Sequence, residues 1–242
     1  MTVTLNLEFT ARDAVQAVRR KDLIVVIDVL RCTSSILNAF ANGAEKVIPT
    51  KTLAEAYRLH REHPSFLLAG ERRGVRPPGF DLGNSPLEFT QQRVRGKTLI
   101  LTTTSGTSAL SRSRQADRVL IGAFLNASSV AKAATATAET HETGISIVLS
   151  GRRGHFSLED FLCGGAIAEQ LLERGADLSD SSFGALLAFR RAKNRLYETI
   201  MTGEHARHLR ALGFEEDVRF CCQLDLYSIV PVYKNGSIEL PG

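Results

Sequence analysis

Leu23-Ile24-Val25-Val26-Ile27, followed at once by Asp28-Val29-Leu30-Arg31-Cys32-Thr33, decides the fold. Five apolar residues in a row leave no polar face for water, so the run reads as a strand buried on both sides. In the polar turn, Thr33 or Ser34 can cap a helix that places Ile36, Leu37 and Phe40 on one face. Asn42-Gly43 ends that helix.

The same grammar runs outward. Further strands are expected at Lys46-Val47-Ile48-Pro49, Ser65 to Ala69, Thr98 to Leu101, Arg118 to Ile121 and Ile145 to Leu149. Capping boxes at Thr52-Leu53-Ala54-Glu55 and Ser157-Leu158-Glu159-Asp160 open helices, the second ending near Gly175. One helix is expected from about Ser182 to Thr202, and a short one ending at Gly213. Lys234-Asn235-Gly236-Ser237 is a type I′ hairpin signal. Alternating strands and helices predict an α/β fold: three layers, α/β/α, around a mainly parallel sheet. The 242 residues fit one unit, with lobes of about 1–125 and 126–242 as a possible subdivision. The stretches Asp28 to Val47 and Thr102 to Val119 echo each other with a two-residue gap, which reads as the common grammar of βα units rather than duplication.

Hydrophobic residues make up 43% and charged residues 23%, as in ordinary globular proteins. No apolar run approaches a membrane span, and the N-terminus lacks the form of a signal peptide. Cys32, Cys163, Cys221 and Cys222 include no CxxC pair and are expected to be reduced thiols in a cytoplasmic protein. The net charge of +4 is uneven: residues 1–120 hold 18 Lys+Arg against 11 Asp+Glu, and residues 121–242 hold 12 against 15. A basic first half suits a small anionic ligand. The arginines are scattered and no nucleic-acid module is recognisable, so neither nucleic acid nor membrane is an expected partner. A homodimer is expected only because such assemblies are common.

In open α/β sheets, ligands gather at the carboxyl ends of parallel strands. Three such ends here are polar. At the first, Asp28 can bind a hard cation and Arg31 can fork onto a phosphate or sulfonate. The second, Thr102-Thr103-Thr104-Ser105-Gly106-Thr107, combines hydroxyls with a helix start and reads as an anion cradle. The third runs from Ser150 through Arg152, Arg153 and His155 to Glu159 and Asp160. His155 reads as a surface residue. Between strands, Gly70 to Gly96 lacks periodicity, and a loop of this length is usually functional. It supplies Glu71, Arg72, Asp81 and a tight turn presenting Asn84 and Ser85. Asp81 reads equally as a metal ligand or a turn-former.

Familiar phosphatase signatures are missing. Six residues beyond each cysteine stand Asn38, Glu169, Tyr227 and Ser228, never the arginine of a cysteine phosphatase. Asp28-Val29-Leu30 lacks the second aspartate of an Asp-x-Asp nucleophile motif, and no P-loop is present.

Taken together, Asp28-Val29-Leu30-Arg31-Cys32-Thr33, Ala41-Asn42-Gly43-Ala44, Gly70-Glu71-Arg72, Gly79 to Pro86, Leu101 to Thr107 and Ser157 to Gly165 resemble the 2-phosphosulfolactate phosphatase family, in the family's order. Cys32 stands where relatives often carry alanine, and Ser105 where they often carry asparagine. The resemblance implies a Mg²⁺-dependent hydrolase that converts 2-phosphosulfolactate to 3-sulfolactate and phosphate, a step toward coenzyme M. The alternatives are a phosphatase for another small acidic phosphomonoester and a non-catalytic anion-binding protein. On this reading Asp28, Glu71 and Asp81 are the expected metal ligands. Arg31, Thr33, Arg72, Asn84, Ser85, Thr103, Thr104, Ser105, Gly106, Thr107 and Arg152 are expected to bind substrate. Asp28, Arg31, Glu71, Glu159 and Asp160 are the expected catalytic groups.

Overall fold

A computed structural model describes residues 2–241. The chain opens with β1 (Thr4–Glu8), α1 (Ala14–Arg20) and β2 (Leu23–Ile27). Then come α2 (Cys32–Ala41), β3 (Lys46–Thr50), α3 (Leu53–Glu62) and β4 (Leu67–Gly70). Beyond the long loop and a single turn, α4 (Gln91–Val94), the alternation resumes with β5 (Thr98–Thr102), α5 (Gly106–Ser113) and β6 (Val119–Gly122). It continues through α6 (Ala127–His141), β7 (Ile145–Leu149), α7 (Leu158–Glu173) and β8 (Asp177–Leu178). Four helices follow: α8 (Asp180–Ala192), α9 (Leu196–Met201), α10 (Glu204–Ala211) and α11 (Glu215–Cys221). The hairpin β9 (Val232–Lys234) and β10 (Ser237–Glu239) closes the described chain.

All ten strands join one sheet in the order β4-β5-β3-β10-β9-β6-β2-β7-β1-β8. β2 lies at the centre of its block, and all five of its residues are buried. Leu23, Val25 and Ile27 enter a core shared with α6 and α7, while Ile24 and Val26 enter a second core with α1 and α5. That split is the three-layer architecture at the level of one strand.

The sheet is two parallel blocks joined by the antiparallel β9–β10 hairpin. Outward from the hairpin, one side reads β3, β5, β4 and the other β6, β2, β7. The chain segments β2-α2-β3-α3-β4 and β5-α5-β6-α6-β7 have the same connectivity. The first strand of each segment inserts between the last two of the other: β2 pairs with β6 and β7, and β5 with β3 and β4. The echo between the two stretches is therefore structural as well as grammatical. It relates about 23–75 to about 98–155.

Several local expectations need correction. The first N–H of α2, on Cys32, is accepted by Asp28 Oδ1 at 3.2 Å. Thr33 Oγ1 instead accepts from Asp28 N (3.1 Å) and donates to Asp28 O (2.9 Å), so Thr33 braces the turn and Asp28 caps the helix. Ser157 makes no side-chain cap to α7. At α3, Thr52 Oγ1 does accept from Glu55 N, but Glu55 reaches Lys51 N. The long helix from Ser182 to Thr202 is two helices, broken at the 3-10 turn Lys193–Arg195, where Arg195 leaves helical geometry at φ −141°. The break lets Leu196 and Ile200 turn into the core. Among the described residues no helix is long and apolar enough to cross a membrane.

Candidate active site

The turns after β2, β4, β5 and β7 converge on one cavity of about 570 Å³. The convergence is tight. A Cβ placed on Gly106, the first residue of α5, would lie 2.5 Å from Cys32 Cβ and 2.8 Å from Asp28 Oδ2. Only glycine lets the start of α5 approach the start of α2 so closely.

Carboxylates tie the turns together. Glu71 Oε1 accepts from Thr104 N at 2.6 Å and Oε2 from Gly74 N at 2.7 Å. Asp160 Oδ1 accepts from Val29 N at 2.8 Å and Oδ2 from Gly151 N at 3.2 Å. In each half, one buried carboxylate thus links the loop after the outer strand to the turn after its neighbour. Burial pushes the Asp28 carboxyl up to about 6, against the pull of His205 and the Cys32 N–H, with the charges of Glu71 and Glu159 adding to the rise. Burial likewise holds Asp160 well above the usual carboxylate range, reinforced by Asp28 and Glu159. Burial also raises Glu159, but the hydrogen bond and charge of His205 outweigh it, and the net shift is downward.

Arginines line the same cavity. Arg31 is buried, with Nη1 2.5 Å from Asp217 Oδ2, Nη2 donating to Gly74 O at 2.9 Å, and its guanidinium 4.3 Å from the Phe214 ring centroid. Arg72 donates to Glu71 O, Lys51 O and Thr102 Oγ1. Among the described residues the Arg152 guanidinium has one distant ionic contact, 3.9 Å, with exposed Glu204. The peptide between Leu30 and Arg31 is cis.

Of the residues expected at the site, Asp28, Arg31, Glu71, Arg72, Asn84, Thr104, Ser105, Arg152, Glu159 and Asp160 line this cavity. Asp81 does not. It is exposed, and its Oδ2 accepts from Leu68 N at 2.8 Å, fastening the long loop to β4. That is the turn-forming role, not the metal-binding one. Thr33 stays inside its own turn. Thr103 Oγ1 accepts from Thr107 N at 3.1 Å and Thr107 Oγ1 donates to Thr103 O at 3.0 Å, so these two hydroxyls cap α5. Ser85 Oγ donates to Asp217 Oδ1 at 2.7 Å and acts behind Arg31.

Two residues from the far end of the chain complete the site. Asp217, on α11, holds Arg31. His205, on α10, lines the cavity with Nδ1 2.8 Å from Glu159 Oε1. No motif marks either of them. His155 is exposed and lies outside the cavity. All four cysteines are free, and burial pushes the Cys32 thiol well above its ordinary value, which argues against a cysteine nucleophile.

Among the described residues, no group of three or more His, Cys, Asp or Glu side chains is arranged to hold a metal ion. A closed all-protein cage is thereby absent from that set. Mg²⁺ rarely needs one, since it keeps several waters and takes one or two carboxylates plus substrate phosphate. The chemistry of the wall fits such an open site. Asp28 is a buried carboxylate beside two others, and the buried Oδ1 of Asn84 has no protein partner.

The fold and the cleft define an α/β protein with one cavity at the strand ends lined by both buried carboxylates and guanidinium groups. The family model described as 2-phosphosulpholactate phosphatase matches residues 9–236, and the chain belongs to that family. Similar curated proteins are each described as a probable 2-phosphosulfolactate phosphatase. The one from Symbiobacterium thermophilum is 41% identical over 220 residues, 89% of this chain and 93% of the relative. That from Thermotoga petrophila is 43% identical over 212 residues, 88% and 89% of the two chains. That from Clostridium beijerinckii is 36% identical over 238 residues, 97% and 98%.

Proposed function

We propose that the chain is a Mg²⁺-dependent phosphatase that hydrolyses 2-phosphosulfolactate to 3-sulfolactate and phosphate, a step of the coenzyme M type. The observation that carries this reading is the cavity that gathers the buried Asp28, Glu71 and Asp160 with Arg31, Arg72 and Arg152. Water attacks phosphorus, the ester P–O bond breaks, and the departing alkoxide takes a proton.

Asp28 and Glu71 are the residues that would hold Mg²⁺, and a bound cation would draw charge from a phosphoryl oxygen and lower the pKa of a nearby water. The protein does the rest by positioning. Thr104 N is occupied by Glu71 and Thr107 N by Thr103, which leaves the N–H groups of Ser105 and Gly106 at the open end of α5 for phosphoryl oxygens. Arg31, clamped by Asp217 and Gly74, presents fixed positive charge. Glu159 fixes His205 through Nδ1, so Nε2 is the ring atom able to protonate the leaving alkoxide. Free thiols at all four cysteines suit a reducing, cytoplasmic location.

The test is phosphate release from a panel of small phosphomonoesters, with Mg²⁺ and with chelator. Mg²⁺-dependent turnover, fastest on 2-phosphosulfolactate, is the expected result. Turnover only on another ester would overturn the substrate. Phosphate binding without turnover on any ester would overturn the enzyme.

A further inference from the structure

The two halves carry matching hairpins. Arg72 pairs with Val75 across Arg73-Gly74, and Arg152 pairs with His155 across Arg153-Gly154. The backbone bonds agree: 2.9 and 3.2 Å in the first, 2.9 and 3.0 Å in the second. The turn dihedrals agree too, with φ 55° and 86° at Arg73 and Gly74, and 53° and 82° at Arg153 and Gly154. Each hairpin follows a structurally equivalent strand, β4 or β7, and each is tied down by a buried carboxylate, Glu71 or Asp160.

In both turns an arginine occupies the first left-handed position, where glycine, asparagine or aspartate is favoured and a longer side chain is strained. Strain retained at a cavity wall points to function. Of the five arginines lining the cavity, Arg31 and Arg72 are committed to protein acceptors. Arg73 and Arg153 are exposed and donate to no protein acceptor among the described residues. Their surroundings differ. Arg153 also borders a pocket with Thr104, Ser105 and Ser108 at the start of α5. Arg73 adjoins Gly74, where an added Cβ would lie 2.8 Å from Leu212 and 3.8 Å from His208 Nε2, beside the C-terminal helices.

We propose that Arg73 and Arg153 are a pair of substrate-reading hooks: Arg153 steadies the phosphoryl group against the Thr104-Ser105 turn, and Arg73 takes a second, non-reacting anionic group, the sulfonate. The proposal rests on the functional reading above and adds the residues that set selectivity. A planar guanidinium fork suits an oxyanion of either kind.

The experiment compares kcat/KM on 2-phosphosulfolactate with that on 2-phospholactate, which keeps the skeleton and lacks the sulfonate. Arg73→Gly is expected to lower the ratio of the two values about tenfold or more, mainly through KM, the scale of one lost charge-assisted contact. Arg153→Gly is expected to lower both values together and leave the ratio within about threefold. Because glycine suits the left-handed backbone, both variants are expected to melt at or above the wild-type temperature, so a loss cannot be assigned to misfolding. A ratio unchanged in Arg73→Gly, or changed tenfold in Arg153→Gly, would overturn the assignment. Wild-type inactivity on both esters would instead overturn the functional reading beneath it.

Discussion

Asp217 Oδ2 lies 2.5 Å from Arg31 Nη1, and both side chains are buried, although 186 positions separate them in sequence. The second Asp217 oxygen accepts from Ser85 Oγ, so the pair also anchors the long loop. Removing one partner of a buried ion pair strands the other charge. Asp217→Ala is therefore expected to cost about 3–5 kcal/mol in urea unfolding and to lower kcat/KM. A loss below about 1 kcal/mol would mean that Arg31 is held by other contacts.

His205 and Glu159 define a second prediction. If His205 protonates the leaving alkoxide, His205→Asn should lower kcat about 10²-fold on an alkyl phosphate. An aryl phosphate, whose leaving group needs no proton, should lose far less. Equal losses on both esters would assign His205 a binding role alone.

Asp28 gives a prediction for stability against pH. Its folded carboxyl is raised from 3.8 to about 6, chiefly by burial. Below the unfolded value both states hold the proton and the site costs nothing. As pH rises from about 4 through about 6, the folded state must charge a buried group, and stability is lost. With chelator present, Asp28→Asn should thus gain about 3 kcal/mol on wild type between pH 3 and pH 7.5. The same difference in urea unfolding at both pH values would contradict the burial cost.

Gly106 is where the turn after β5 meets the turn after β2. An added methyl would fall 2.5 Å from Cys32 Cβ and 2.6 Å from its sulfur. Gly106→Ala should destabilise by about 1–3 kcal/mol and reduce activity. Adding Cys32→Gly should recover part of the loss. No recovery would show that the two turns do not meet in this way.

The fold was legible where burial leaves sequence no choice. β2, β5 and β7 are apolar on both faces, and Asn235-Gly236 specifies its hairpin turn, with φ 53° and 85°. α6 carries no bulky stripe; its buried face is Ala127, Val130, Ala131, Ala134 and Ala138, so periodicity is faint. The cavity lining was legible where it follows a strand end, as at Asp28, Glu71 and Thr104, or opens a helix, as at Asp160. It was not legible where a side chain arrives from elsewhere. His205 reaches the cavity, and Asp217 the buried Arg31 at its edge, because the C-terminal helices fold back over this end of the sheet. Asp81 shows the converse: its loop does line the cavity, at Glu71 and Asn84, but which residue of a loop turns inward is fixed by tertiary contacts such as the bond from Leu68 N. Arg-Arg-Gly stands twice in the sequence, at 72–74 and 152–154, but only the equivalent positions of β4 and β7 in the sheet relate the two.

The measurement that bears most directly on the proposed chemistry is the turnover of folded Asp28→Asn on 2-phosphosulfolactate at saturating Mg²⁺. A carboxylate that holds the cation should not be replaceable by a neutral amide, so kcat is expected to fall at least 10²-fold or so while the fold is retained. A fall of less than about tenfold would contradict the role given to Asp28.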